Sequence, residues 1–250
     1  MVLISRLKSK ISGFIKCLIN NGKKIRHFYD RNIVFSIGEN CLTDDILARN
    51  NLKSFSSPYA SGRSNIEYVL AFEKDNFSDF LNPVYLKYDF FAGKKVVRNG
   101  KFVKTLNKYR SSVTNGFEFT HHDVLGNEKT RRTIERRCLR LLHMTGKNVV
   151  MVYHHRLCSD TDQDLLLRHL SQMSQIYEKR NNSVHMFVFT QKLVNDKNKR
   201  RVEKQLVNGI HIFDFYTLKE WAGSDQDVFW ARNDDDLLKE MIDDIKKVLI

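Results

Sequence analysis

Apolar positions along this chain switch between two periods. Residues 32–37 form a short apolar run of strand character, and Leu42, Ile46 and Leu47 then recur at helical spacing over 42–50. Helix signals return at 65–74, with Ile66, Val69, Leu70 and Phe72. Gly116 to His121 reads as a strand, and Glu128 to Met144 as a helix with Ile134, Cys138, Leu141 and Leu142 on one side. The β-branched run Asn148 to Tyr153 predicts a strand, and Thr161 to Tyr177 a helix capped by Ser159 and Asp160. Val184 to Thr190 and Ile210 to Phe215 are further strands, and Asp234 to Leu249 closes as an acidic amphipathic helix. Between these lie a Ser-, Gly- and Pro-containing loop at 54–64, an irregular aromatic stretch at 76–118 and a charged segment at 196–207. Turns at Gly93-Lys94-Lys95 and Asn99-Gly100 suggest short hairpins within the aromatic stretch.

Strands alternating with helices of this length predict an α/β fold: a mainly parallel, doubly wound (Rossmann-like) sheet with helices on both faces. Ligands in such sheets bind at the carboxyl ends of strands, near a reversal of strand order. We expect residues 32–250 to form a single α/β domain, preceded by a leader at 1–31.

The leader changes the picture of charge. Ile4, Leu7, Ile11, Phe14 and Leu18 make one stripe, with Arg6, Lys8, Lys10 and Lys16 off it. This is a basic amphipathic N-terminal helix suited to an anionic membrane surface, reached through residues 1–28, or equally to packing on the domain. Residues 1–31 hold eight Lys or Arg against Asp30 alone, more than half of the net +13 of the whole chain. The positive field is therefore local. With no zinc-finger spacing, zipper pattern or aromatic RNA-binding signature, it argues against nucleic acid as the partner. The lysines interrupt any membrane span, so the expected location is cytoplasmic or peripheral at the inner membrane. Oligomeric state is not readable. The 4 cysteines are scattered without a Cys-x-x-Cys pair, which fits a reducing compartment and argues against a thiolate zinc site. His121, His122, His154 and His155 could in principle form a metal site but lack a helical His pair or a carboxylate at ligand spacing, so no metal is expected, nor a cofactor.

Cys41 carries the candidate chemistry. The run Ser36-Ile37-Gly38-Glu39-Asn40-Cys41 ends a strand, turns and opens a helix. A thiol at that point faces free N–H groups and the positive end of a helix, which favours the thiolate. Asn40 and the Cys41 N–H are candidate oxyanion donors. A base and its orienting carboxylate are supplied by His121-His122-Asp123 at the end of the strand over 116–121. Alternation points the two histidines to opposite faces, so one of them can face Cys41. His122, nearer the strand end, is preferred, with His121 the other choice. Asp123 either orients that base or starts the next turn. His154, His155 and Arg156 end the next strand and, with Ser36, Gly38 and Tyr59, are the candidate substrate contacts. They would suit a phosphate or carboxylate. Arg131, Arg132, Arg136, Arg137 and Arg140 share one helix and read either as a face toward an anionic substrate or, preferred here, as a solvated face.

These residues carry a resemblance. The Ser36-to-Cys41 turn, the stretch Asp75-Asn76-Phe77-Ser78-Asp79-Phe80-Leu81, the His122-Asp123 pair and the arginine-rich helix before Asn148 occur in a shared order. In this the chain resembles the bacterial and viral family of unknown function labelled papain-like cysteine peptidases. The resemblance covers about residues 32–155. It implies Cys41 as nucleophile, His122 as base and Asp123 as acidic neighbour, and a setting in surface-polysaccharide gene clusters. Where the family usually has Pro-Phe-Asp-Trp, this chain has Pro58-Tyr59-Ala60-Ser61. A papain-like fold would follow the cysteine helix with a mostly antiparallel sheet, whereas the alternation here predicts a parallel one. The expected function is a cysteine-dependent hydrolase or acyl transferase acting on an anionic glycan, sugar-phosphate or acyl substrate. The alternatives are a glycosyltransferase or other capsule or lipopolysaccharide-assembly enzyme that does not use the thiol, and an inactive binding or scaffold protein.

Overall fold

A computed structural model describes residues 30–91, 93–102, 116–158, 161–221 and 227–250. The expected basic helix at 1–28 lies outside the described residues, as do Ser159 and Asp160. The fold is mixed α/β. Its main sheet has five strands in the order β1 (Asn32–Ser36), β5 (Asn148–His154), β6 (Ser183–Leu193), β8 (Ile210–Thr217) and β7 (Arg201–Val207). All neighbours pair in parallel except β7 with β8.

The alternation expected of a sheet buried on both faces is visible within β1. Ile33, Phe35 and Ile37 face one core with Val149, Met151, Tyr153, Met186 and Val188. Val34 faces the other, with Val150, Val152, Phe187, Phe189, Phe213 and Phe215. Helices α2 (Ile66–Lys74), α3 (Glu128–Leu142) and α4 (Gln163–Glu178) bury their stripes in the first core. Helices α1 (Cys41–Arg49) and α5 (Asp235–Lys247) bury theirs in the second. The cap of α4 is Asp162, whose side chain accepts from the Leu165 N–H, in place of the expected Ser159 and Asp160.

Three features depart from the sequence expectation. First, the parallel strands follow one another in chain order, so no reversal lies between them, and β1 is an edge strand. Its outer edge is covered by the loop after α1. The Val34 N–H donates to Ser54 Oγ at 2.9 Å, and the Ser54 N–H returns to the Val34 carbonyl at 2.9 Å. Second, the strand expected over 116–121 is β4 (Phe117–Phe119), and it belongs to a separate antiparallel sheet with β2 (Leu86–Phe91) and β3 (Lys94–Asn99). Third, the charged segment 196–207 contains β7, which leaves most of its side chains in solvent as an edge strand does. It turns into β8 through Asn208-Gly209, both with positive φ (51° and 79°), which is hairpin chemistry.

The small sheet is tied to the main one by residues 62–64. Arg63 and Glu118 exchange backbone hydrogen bonds at 2.9 Å each, and the Ser64 N–H donates to the Glu39 carbonyl at 2.8 Å. This segment is bonded on one side to β4 and on the other to the turn after β1.

Candidate functional site

Parallel pairing continues past the end of β1. The Ile37 N–H donates to the Val152 carbonyl at 3.0 Å, the Glu39 N–H to the His154 carbonyl at 3.2 Å, and the His154 N–H to the Gly38 carbonyl at 3.1 Å. Gly38 has φ +116°, a conformation that disfavours any side chain, although an added Cβ would meet the Tyr153 ring only at an ordinary 3.7 Å. Its carbonyl also accepts from Thr43 Oγ1 at 3.1 Å, which ties the turn to the first turn of α1. Asn40 is the N-cap, with Oδ1 accepting from the Leu42 N–H at 3.0 Å. Its capping oxygen is thereby engaged, and only its NH2 remains to act as a donor.

Cys41 is the first residue of α1 and half-buried. The expected fall in its pKa is corrected. Burial raises it above the ordinary value, and this outweighs the pull of its own backbone N–H and of the Arg63 guanidinium; Asp44 and Asp45 add to the rise. His122 follows β4 in the turn of the small sheet. Its Nε2 is buried with no hydrogen-bond partner, and burial, reinforced by Arg137 and His121, pushes its pKa down to about 4. At neutral pH the imidazole is therefore uncharged and able to accept a proton. Asp44 acts on Cys41, and Arg137 acts on both Asp44 and His122.

Asp123 takes the second of the roles open to it. It is exposed, and its carboxylate accepts from the Leu125 N–H (3.2 Å), the Gly126 N–H (2.7 Å) and Tyr88 Oη (3.2 Å), which builds the turn into α3. His121 is exposed.

The substrate contacts expected from sequence need correction. Ser36 is fully buried. Its Oγ accepts from the Gly38 N–H at 3.3 Å and its carbonyl from Ser57 Oγ at 2.6 Å, so it shapes the turn. Tyr59 is buried in an aromatic cluster with Phe77, Phe80 and Phe117, and its hydroxyl donates to Glu73 at 3.3 Å. His154 is buried and stacked on Phe189 with ring centroids 4.8 Å apart. His155 is also fully buried, with Nε2 3.3 Å from Thr161 Oγ1. A parallel strand covered on both faces swallows both side chains that alternation sends inward. Arg156 ion-pairs with Glu220 at 2.7 Å, and its backbone N–H donates to Glu39 Oε2 at 2.9 Å. Among the described residues, no group of three or more His, Cys, Asp or Glu could hold a metal ion.

Sequence reasoning missed Glu39, Arg63 and Asp44, and read Arg137 as part of a solvated face. Arg63 is 22 positions from the thiol with no local pattern to mark it, and only the bridge to Glu118 brings it close. Arg137 does carry a signal. It sits three residues after Ile134 and four before Leu141, both buried, so it lies on the inward stripe of α3.

In this mixed α/β fold the Cys41 thiol opens a helix at the carboxyl edge of the main sheet, and His122 follows a strand of the small sheet. The chain belongs to the family described as "Putative papain-like cysteine peptidase (DUF1796)", whose profile matches residues 32–198. No curated protein and no solved structure matches it. The family's Asp75-to-Leu81 stretch is a core turn here: Asn76 and Phe77 take positive φ (51° and 59°), and Phe77 and Phe80 enter the core. Among the described residues, no helix is long and apolar enough to cross a membrane.

Proposed function

We propose that this chain is a cysteine-dependent hydrolase or acyl transferase, with Cys41 as nucleophile and His122 as its base. The reading rests on two observations: a thiol at a helix N-terminus, and an imidazole in the neighbouring small sheet's turn whose buried Nε2 has no partner. A neutral imidazole without a partner is a proton acceptor awaiting a donor. As sulfur bonds to a substrate carbonyl carbon, the thiol proton passes to His122 and the carbonyl π pair moves onto oxygen. The Cys41 N–H and the Asn40 NH2 are the donors for that oxyanion. Collapse expels the leaving group, which takes the proton back from His122 and leaves a thioester. Water or a second nucleophile then removes the acyl group.

The test is acylation by p-nitrophenyl acetate followed by mass spectrometry. Wild type should carry an acetyl group on Cys41 and Cys41→Ala none. His122→Ala should acylate slower by at least about a hundredfold, the ordinary contribution of a general base. Acylation of His122→Ala at the wild-type rate, or no Cys41 adduct at all, sinks the reading.

A further inference from the structure

Helix α3 turns two arginines toward the loop that seals β1. Arg140 lies over the Phe55 ring at 4.7 Å, and Phe55 stacks on Phe35 of β1 with centroids 5.4 Å apart. One turn earlier, Arg137 Nη1 reaches the Ser57 carbonyl at 3.4 Å, a long hydrogen bond. Ser57 is the residue whose hydroxyl holds the Ser36 carbonyl at the start of the Cys41 turn. The Arg137 guanidinium is half-buried, yet among the described residues no carboxylate lies within ion-pair distance of it. Its anionic neighbour Asp44 is already paired with Lys53 at 2.7 Å. A second cation, Arg63, acts on the thiol itself. A partly buried guanidinium with no carboxylate in contact keeps donors to spare, and a planar fork of donors suits a carboxylate or phosphate.

We propose that Arg137 is the anion-binding residue of the Cys41 site, and that the substrate carries a carboxylate or phosphate near its reactive carbonyl. The inference rests on Cys41 being the nucleophile. It also links binding to chemistry. Arg137 is one of the charges holding the His122 pKa down, so an anion seated on it relieves that repulsion and strengthens the base at the moment substrate arrives.

Iodoacetate and iodoacetamide test this directly. Both alkylate the same thiolate, forming a carbon–sulfur bond and releasing iodide, and they differ in carrying a carboxylate or an amide. Their rate ratio at Cys41 therefore cancels thiol pKa and reads the local field. Wild type should favour iodoacetate, relative to N-acetylcysteine, by at least about threefold at low salt, and the preference should decay as salt screens the charge. Arg137→Gln should remove most of the preference, leaving the share due to Arg63, and Arg137→Lys should keep most of it. A ratio equal in wild type and Arg137→Gln overturns the inference while leaving the nucleophile intact. If Arg137→Gln does not fold, a wild-type ratio equal to that of N-acetylcysteine and insensitive to salt overturns it alone. No labelling by either reagent removes the nucleophile, and the inference with it.

Discussion

The protonation state of the resting site can be tested by following Cys41 alkylation with pH. Cysteine enzymes that hold a thiolate–imidazolium pair need a histidine more basic than the thiol. Here the order is inverted: burial raises the thiol above its ordinary value and pushes His122 down to about 4. Even an ordinary thiol, at about 8.5, lies more than about four units above that imidazole, which sets proton transfer between them roughly 6 kcal/mol or more uphill. Even if the two groups met at 4 Å, their attraction would return only about 4 kcal/mol at an effective dielectric near 20. The neutral pair wins. At pH 7 an ordinary thiol of pKa about 8.5 is only about 3% thiolate, and Cys41 must be less. Iodoacetamide labelling of Cys41, quantified by peptide mass spectrometry, should therefore rise about tenfold per pH unit from pH 6 to 8, roughly a hundredfold in all. A rate that is flat across that range would show a preformed ion pair and refute the burial argument.

Other outcomes follow from the core and the turns. Glu73 is buried, accepts from Tyr177 Oη at 2.8 Å and Tyr59 Oη at 3.3 Å, and has its pKa raised to about 7 by burial. A carboxyl with a raised folded pKa favours the fold below its unfolded pKa of about 4.3, and loses that contribution as pH rises through about 7. Urea unfolding of wild type should therefore lose about 3 kcal/mol relative to Glu73→Gln between pH 4.5 and 7.5; parallel profiles would contradict this. His122, His154 and His155, all depressed by burial, act in the opposite sense below pH 6.5, and they cancel in that comparison. Gly62→Ala should destabilise by about 1–3 kcal/mol, since its Cβ would lie 2.6 Å from the Phe117 ring and 2.8 Å from the Glu118 carbonyl. Calorimetry showing an unchanged Tm would exclude this clash. Tyr153→Phe should cost about 1–3 kcal/mol in urea unfolding, because the buried Ile66 N–H loses its acceptor at 3.1 Å.

The parts of the fold legible in the sequence were those in which a residue's neighbours in the chain determine its environment. Cys41 at a helix start and the strand at 148–154 follow from local period and caps. β7 was hidden because an edge strand with an exposed face needs no apolar pattern, although Asn208-Gly209 marked its hairpin. The identity of the sheet receiving His122 was not legible, since three residues of strand carry no information about their partners. The fate of Tyr59, His154 and His155 turned on packing from both faces, and a polar residue at a strand end reads the same whether it meets solvent or a core. Arg63 reached the site through a backbone bridge, which side-chain types do not encode.

The Gly38 carbonyl, shared between the His154 N–H and Thr43 Oγ1, has a dynamic consequence. It makes the turn before Cys41 an extension of the β1–β5 ladder, so the turn opens with that ladder and not with the surface loops. In hydrogen exchange, the Glu39 and His154 amides should report the same opening event as the strand interiors. Thermal loss of Cys41 reactivity toward alkylation should then coincide with melting of the sheet, with no earlier softening of the site.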